Sequence, residues 1–231
     1  MNKTEMRKII LTRTDKLDAE YIRDTDAQIA ASFFDLDAYQ HADQVFIYAS
    51  YRKEIDTFAI ITRMLADGKA VYVPKVISRK CRKMTAIRIH TLDELKPGYM
   101  GIPEPIGVDD NQTYCDSKIK DAKFDIGNTC YEKSRSTSLI VLPCLYIDEN
   151  FNRLGYGGGF YDTFLEEHIG RPVNNSISKP INKQIKMPTI VAMQRTKAIS
   201  NLGFIESEMH DFKADIVIDE NSVRTNPQVI I

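Results

Sequence analysis

A cluster of glycines between a predicted strand and a predicted helix is the feature that most constrains how this chain can fold. The glycines occupy four of five consecutive positions: Gly155, Gly157, Gly158 and Gly159. An apolar segment at 139–142 precedes them, and 163–169 can continue as a helix. Glycine accepts positive φ and close backbone approach, and a helix start offers free N–H groups to an anion. The stretch predicts a phosphate-binding loop, with a plain glycine-rich turn as the alternative.

The apolar segments along the chain predict an α/β protein. Strands are expected at 45–49, 70–73, 84–89, 139–142, 189–193 and 215–218, with Pro74 ending the second. Helices are expected at 3–11, from Asp18 onward and at 56–66. The alternation favours a single doubly wound, largely parallel sheet of about six strands with helices on both faces. We expect one domain over residues 1–231, with loop insertions at 108–138 and 171–188.

Charge and cysteine content narrow the class of protein. The chain has 31 basic and 32 acidic residues, so no global field attracts nucleic acid or an acidic membrane. Its four cysteines form no C-x-x-C pair, which disfavours zinc and indicates a reduced compartment. The N-terminus has no apolar signal region, and the run 139–147 is too short to span a bilayer. We therefore expect a cytoplasmic, monomeric protein that binds small molecules.

Charged residues near the glycine cluster could bind an anion and its metal. Arg153 can make a two-pronged contact with phosphate. Asp162, in the first helical turn, could hold Mg²⁺ or only complement the helix dipole. Lys3 and Arg7 lie four apart on one helical face, which suits a polyphosphate or a solvated helix end.

Two further acidic residues follow or precede predicted strands. Glu54 comes after the strand at 45–49 and could accept hydrogen bonds from ligand N–H groups, or lie free on the surface. Asp211 precedes the strand at 215–218 and could be a second magnesium ligand or a solvated loop acid. The chain has neither the G-x-x-x-x-G-K-[ST] loop nor a G-x-G-x-x-G fingerprint, and it lacks a G-x-S-x-G elbow.

Taken in order, these segments resemble the 5-formyltetrahydrofolate cyclo-ligase family. The strongest match is the decamer Arg153-Leu154-Gly155-Tyr156-Gly157-Gly158-Gly159-Phe160-Tyr161-Asp162 after the strand at 139–142. Weaker matches are Lys3 and Arg7, Glu54-Ile55-Asp56-Thr57, Met84, Gly101-Ile102-Pro103-Glu104-Pro105 and His210-Asp211. The likeness covers about residues 3–107, 139–170 and 189–220.

The resemblance implies an ATP- and Mg²⁺-dependent closure of 5-formyltetrahydrofolate to 5,10-methenyltetrahydrofolate through a phosphorylated formyl group. It assigns ATP binding to Lys3, Arg7, Arg153, Leu154, Gly155, Tyr156, Gly157, Gly158, Gly159, Phe160 and Tyr161. It assigns catalysis to Arg153 and Tyr161, substrate binding to Glu54, Met84 and Tyr161, and magnesium to Asp162 and Asp211.

Two departures from the family pattern concern the substrate side. Cys144 stands where the family usually has glycine, and Gln194 falls slightly early after its strand. Two other functions stay open: a sugar-phosphate isomerase or CoA transferase, whose fold the family's resembles, and a non-catalytic folate- or nucleotide-binding protein.

Overall fold

The computed structural model describes residues 1–106, 137–170, 172–173, 176–177, 187–208 and 211–228. The predicted insertions lie largely outside these residues, as does His210, so the insertions stay predictions. The helices are α1 Lys3–Thr14, α2 Ala19–Phe34, α3 Asp37–Gln40, α4 Thr57–Ala66, α5 Phe160–Ile169 and α6 Thr196–Ile199. The strands are β1 Gln44–Ile47, β2 Ala70–Ser78, β3 Lys83–Ile89, β4 Leu95–Pro97, β5 Pro103–Pro105, β6 Ser138–Leu142, β7 Tyr146–Ile147, β8 Arg153–Leu154, β9 Pro172–Val173, β10 Ser176–Ile177, β11 Thr189–Met193, β12 Ile216–Ile218 and β13 Val223–Thr225.

A seven-stranded sheet in the order β13-β12-β11-β6-β1-β2-β3 forms the centre of the protein. Its five inner strands are parallel. The edge strands β3 and β13 pair antiparallel with their neighbours. This confirms the predicted largely parallel α/β sheet and adds one strand to it. The added strand, β13, was missed because it is a short, mostly exposed segment without an apolar run.

Both faces of the sheet are covered, which gives the parallel strands their continuous apolar sequences. Val45 and Ile47 of β1 point into a core that they share with α2 and α4. Phe46, between them, points to the other face and packs against Phe164 of α5, with ring centroids 4.8 Å apart. The predicted doubly wound arrangement is therefore confirmed.

The expectation that Pro74 ends the second strand is wrong. Strand β2 continues to Ser78, and Pro74 lies opposite Ala86 of β3. Pairing between β2 and β1 covers only Ala70 to Tyr72. Past that point β2 is an edge on one side, where a residue without an N–H is tolerated. The longer β2–β3 hairpin carries Met84 and the basic turn 79–83 toward the carboxyl ends of the parallel strands.

Candidate functional site

A cavity of about 550 Å³ opens where the parallel strands end. Its walls include residues at or just past the ends of three neighbouring strands: 48–49 and 51–55 after β1, 143–145 after β6 and 193–195 at the end of β11. Ligands of open α/β sheets bind at this edge. The predicted site residues that line the cavity are Glu54, Met84, Arg153, Gly155, Tyr156, Gly158, Gly159, Phe160, Tyr161 and Asp162. Five described residues of the prediction lie outside this lining: Lys3, Arg7, Leu154, Gly157 and Asp211.

The glycine loop joins β8 to α5 and needs its glycines for two reasons. Gly157 and Gly159 have φ values of 93° and 70°, in the region that side chains disfavour. The chain also passes close to basic side chains. A Cβ at Gly157 would lie 3.3 Å from Arg7 Cζ, and one at Gly159 would lie 3.2 Å from Arg82 Nη1. Arg7 further donates from Nε to the carbonyl of Gly155 at 2.8 Å.

The N-terminus of α5 is available to an anion. Its N-cap, Gly159, has no side chain to accept from the first backbone N–H groups. Arg7 and Arg82 lie against the loop that leads into this helix. Arg82 is not predictable from the sequence, because nothing in the turn of the β2–β3 hairpin distinguishes it from its basic neighbours. The loop, the helix start and these guanidinium groups together form an anion-binding surface.

Arg153 is held beneath the glycine loop. Its side chain is 5% exposed, and Nη2 donates to Asp162 Oδ1 at 2.7 Å. Nη1 donates to the carbonyl of Pro143 at 3.1 Å. The buried Nε has no hydrogen-bond partner in the described part of the chain. Arg153 thus fixes the Asp162 carboxylate from beneath the loop.

Lys3 and Asp211 meet each other beside the N-terminus of α1. Lys3 Nζ lies 2.7 Å from Asp211 Oδ2 and 3.0 Å from Glu208 Oε1. These partners raise the pKa of the Lys3 ammonium against the opposing effect of its burial, which is the largest single contribution. The predicted phosphate ligand Lys3 is therefore ion-paired with the predicted metal ligand Asp211.

The carboxylates of Asp162 and Asp211 suit magnesium only if a bound ligand supplies further oxygen atoms. Asp162 makes its ion pair through Oδ1 and Asp211 through Oδ2, so each has a second oxygen that can face a cation. Among the described residues, no three His, Cys, Asp or Glu side chains gather into a metal cage. Mg²⁺ typically binds to one or two carboxylates plus phosphate and water. The donor set fits that arrangement and not a closed protein site.

Another part of the cavity wall is apolar and carries Glu54. Met84 of β3 is buried here, and Tyr48 and Tyr161 lie nearby. Glu54 Oε2 accepts from the Tyr51 N–H at 2.7 Å, and the carboxylate also accepts from the Tyr156 hydroxyl. Burial raises the pKa of Glu54, and the two hydrogen bonds oppose that rise. A single half-buried carboxylate among aromatic rings can orient an aromatic ligand by its N–H groups.

The two departures from the family pattern are built into the cavity wall. Cys144 donates from Sγ to the carbonyl of Met193 at 3.2 Å, and burial raises the pKa of its thiol to about 12. Gln194 accepts from the Ile147 N–H through Oε1 at 2.7 Å. Cys144 is thus a neutral packing thiol, and Gln194 ties β11 to β7.

The fold and the cavity define an α/β protein whose small-molecule site lies at the carboxyl edge of a doubly wound sheet, beside a glycine loop. A family model described as the 5-formyltetrahydrofolate cyclo-ligase family matches residues 1–220. The chain belongs to this family of ligases. No helix among the described residues is both long and apolar enough to cross a bilayer.

Relatives agree with this assignment. A probable 5-formyltetrahydrofolate cyclo-ligase from Schizosaccharomyces pombe is 26% identical over 73% of this chain and 74% of its own length. The 5-formyltetrahydrofolate cyclo-ligase of Mus musculus is 26% identical over 80% of this chain and 76% of its own. The fold resembles that of 5,10-methenyltetrahydrofolate synthetase from Aquifex aeolicus, with a TM-score of 0.69 and 20% identity over 100% of this chain and 96% of that one.

Proposed function

We propose that this protein closes 5-formyltetrahydrofolate to 5,10-methenyltetrahydrofolate with ATP and Mg²⁺, releasing ADP and phosphate. One observation carries the proposal: a single cavity is lined both by the glycine loop with Arg153 and by the apolar wall with Glu54. The first surface suits a triphosphate, and the second suits a pterin. Membership of the family supports the reaction type.

The reaction requires activation of an unreactive formyl group. The formyl oxygen attacks the γ-phosphorus of ATP, the bond to the bridging oxygen breaks, and ADP leaves. N10 then attacks the formyl carbon and loses its proton, and the carbon–oxygen bond to phosphate breaks. Phosphoryl transfer depends mainly on positioning and on neutralising charge, so it needs cations and backbone N–H groups more than a protein nucleophile.

The phosphate side of the cavity provides those groups. Arg7 and Arg82 would bind phosphate oxygens, together with the loop N–H groups from Gly155 to Phe160, and Arg153 would add its positive charge from beneath the loop. Lys3 would contribute its charge from the start of α1. Magnesium, when bound, would neutralise phosphate charge, and Asp162 and Asp211 are the residues that would hold it.

The folate side of the cavity would position the reacting atoms. Glu54 would accept hydrogen bonds from the pterin or the N10 region, while Met84 and Tyr161 would pack against the rings. Burial raises the pKa of the Tyr161 hydroxyl, so this group stays protonated and can donate a hydrogen bond. In this assignment Tyr161 lies between the two substrates, since it also belongs to the first turn of α5.

A direct assay tests the proposal. The protein is mixed with 5-formyltetrahydrofolate, ATP and Mg²⁺, and the near-ultraviolet absorbance of the methenyl product is followed. Signal that requires both ATP and Mg²⁺ supports the proposal. Folate binding without turnover would favour the non-catalytic alternative, and turnover of a sugar phosphate or CoA ester without ATP would favour the other enzymes.

Asp162→Asn tests the metal assignment with little disturbance of the fold, because the amide oxygen can still accept from Arg153. We expect turnover to fall to background while the melting temperature stays close to that of the wild type. Wild-type turnover by this variant would remove Asp162 from the metal site.

The cytoplasmic location stays a prediction, since a relative from Arabidopsis thaliana is named as mitochondrial.

A further inference from the structure

Arg195 is a buried cation, and its guanidinium group donates hydrogen bonds to four other residues of the protein. It lies two residues past the end of β11, and its side chain is 5% exposed. Nε donates to Thr25 Oγ1 at 2.9 Å, and Nη1 donates to the carbonyl of Lys53 at 2.9 Å. Nη2 is paired with Asp26 and also reaches the carbonyl of Glu54 at 3.4 Å. A buried guanidinium persists only where its donors find partners.

Two of these contacts go directly to the loop that carries Glu54, and a third reaches it through Asp26. Arg195 holds the carbonyls of Lys53 and Glu54, while its partner Asp26 accepts from the Asp56 N–H at 3.2 Å. The loop is thus fixed at three backbone groups by one ion pair between the end of β11 and α2. Because those groups flank Glu54 on both sides, the ion pair determines where the Glu54 backbone lies.

The loop contains backbone strain that such a clamp must hold. Arg52 has a φ of 58°, in the left-handed region that is unfavourable for a side chain. Conformations of this kind persist only when surrounding contacts over-determine them. Lys53 adds a second restraint, since its Nζ donates to the carbonyls of Asp15 and Leu17 at 2.8 and 3.1 Å.

We infer that Arg195 is a positioning residue for the folate half of the site, acting through the 50–56 loop to hold the Glu54 carboxylate in the cavity. The inference rests on the proposed function for what Glu54 binds, but the clamp itself is independent of it. Asp26 completes the clamp. Its pKa is raised by burial and lowered in part by Arg195, so the pair is held in a poorly hydrated place.

The first test is a cycle of variants with the folate dissociation constant as readout. Arg195→Lys keeps the charge beside Asp26 but loses the planar fork that bonds both carbonyls. We expect about tenfold weaker binding of 5-formyltetrahydrofolate with ATP binding unchanged, because small misplacements of a positioned group are costly. In a Glu54→Gln background, Arg195→Lys should add little, since residues that act through one another are not additive.

Several results would overturn the inference. One is an equal loss of folate and ATP binding in Arg195→Lys, and another is full additivity with Glu54→Gln. Arg13→Lys is the matched control, because Arg13 also donates to a carbonyl, that of Ser200 at 2.7 Å, but lies outside the cavity lining. It should leave folate binding unchanged. If Arg195→Lys does not fold, the double variant Arg195→Met/Asp26→Asn removes both charges and repeats the test.

A second readout separates this inference from the proposed function. Amide hydrogen exchange in the ligand-free protein should show faster exchange at 51–56 in Arg195→Lys, with β6 and α5 unchanged. If the wild type neither binds folate nor turns it over, the proposed function fails, and this measurement still decides whether the clamp exists. Unchanged exchange at 51–56 would overturn the inference even if the wild type is an active cyclo-ligase.

Discussion

The hydroxyl of Tyr156 donates a hydrogen bond to the carboxylate of Glu54. This contact joins the glycine loop to the loop that follows β1, and therefore joins the two halves of the cavity. The Tyr156 residue is 46% exposed, but burial raises the pKa of its hydroxyl, so its polar end lies inside while part of its ring faces solvent. Binding on one side can thus influence the carboxylate on the other.

Tyr156→Phe should weaken folate binding and shift its pH dependence. The hydrogen bond favours the ionised form of Glu54, so its loss should raise the pKa of Glu54 further. The acid limb of kcat/KM for 5-formyltetrahydrofolate should then move to higher pH. We expect KM for the folate to rise by about tenfold, which is typical for a lost hydrogen bond to a charged group. Steady-state kinetics across a pH series measure both effects.

Tyr146→Phe is the matched control for that variant. Its hydroxyl donates to the carbonyl of Gly203 at 2.9 Å, and Tyr146 lies outside the cavity lining. It should leave the pH profile in place. An unshifted acid limb in Tyr156→Phe would mean that the contact does not tune Glu54.

Arg82→Met should weaken ATP binding selectively. Arg82 lies against Gly159 at the start of α5, where phosphate would meet the helix N–H groups. The loss of one charge-assisted contact should raise KM for ATP by about tenfold and leave the folate KM unchanged. Lys80→Met, an exposed residue two positions away in the same turn, is the control. Equal effects of the two substitutions on KM for ATP would indicate long-range electrostatic attraction by the basic turn and not a direct contact from Arg82.

Gly155→Ala tests whether the glycine loop needs space as well as positive φ. A Cβ at Gly155 would lie 2.8 Å from Arg153 Nη1, and hydrogen bonds from Nη1 to Pro143 and from Nη2 to Asp162 hold that guanidinium group in place. Overpacking of this kind typically costs about 1–3 kcal/mol. We expect a lower melting temperature and a large loss of turnover.

Gly68→Ala gives the comparison for that substitution. Gly68 has a φ of 76°, but a Cβ there would meet nothing within 4 Å. Gly68→Ala should therefore lower the melting temperature only because alanine disfavours this positive φ, and it should leave turnover unchanged. Full activity in Gly155→Ala would show that Arg153 can move aside.

The sequence predicted the parts of this fold that depend on local pattern. Apolar runs located the inner strands, and Asp18 caps α2 as expected, accepting from the Tyr21 N–H at 2.7 Å. The glycine cluster predicted the turn into α5. Pro74 misled the prediction, because its effect depends on which neighbour β2 has at that point, and pairing is not a local property.

Part of the candidate site was also predictable from the sequence. Glu54 comes after β1 and the segment that leads into the glycine loop comes after β6, and these two strands are neighbours in the sheet, so its topology brings the two regions together. Arg82 and Arg195 could not be found in this way. Their roles depend on contacts with residues distant in sequence, such as Gly159 for Arg82 and Thr25 for Arg195. Likewise, the ion pair between Lys3 and Asp211 spans nearly the whole chain.

Asp215→Asn should stabilise the protein at neutral pH, away from the cavity. Burial raises the pKa of Asp215 from 3.8 to about 6, and its Oδ2 accepts from the Ile190 N–H at 2.7 Å. A carboxyl whose folded pKa is raised favours folding when protonated, so its contribution is full below pH 3.8 and is lost as pH rises through about 6. The loss corresponds to at most about 3 kcal/mol.

Asparagine keeps an acceptor for the Ile190 N–H but does not ionise. The variant should therefore unfold at a higher urea concentration than the wild type at pH 8, with the difference shrinking toward pH 4. Asp67→Asn provides a control of opposite sign, because hydrogen bonds from Tyr39 and then Arg63 lower the pKa of Asp67. That variant should lose stability at pH 8. A gain for Asp215→Asn that is equal at both pH values would show that ionisation of Asp215 is not the cause.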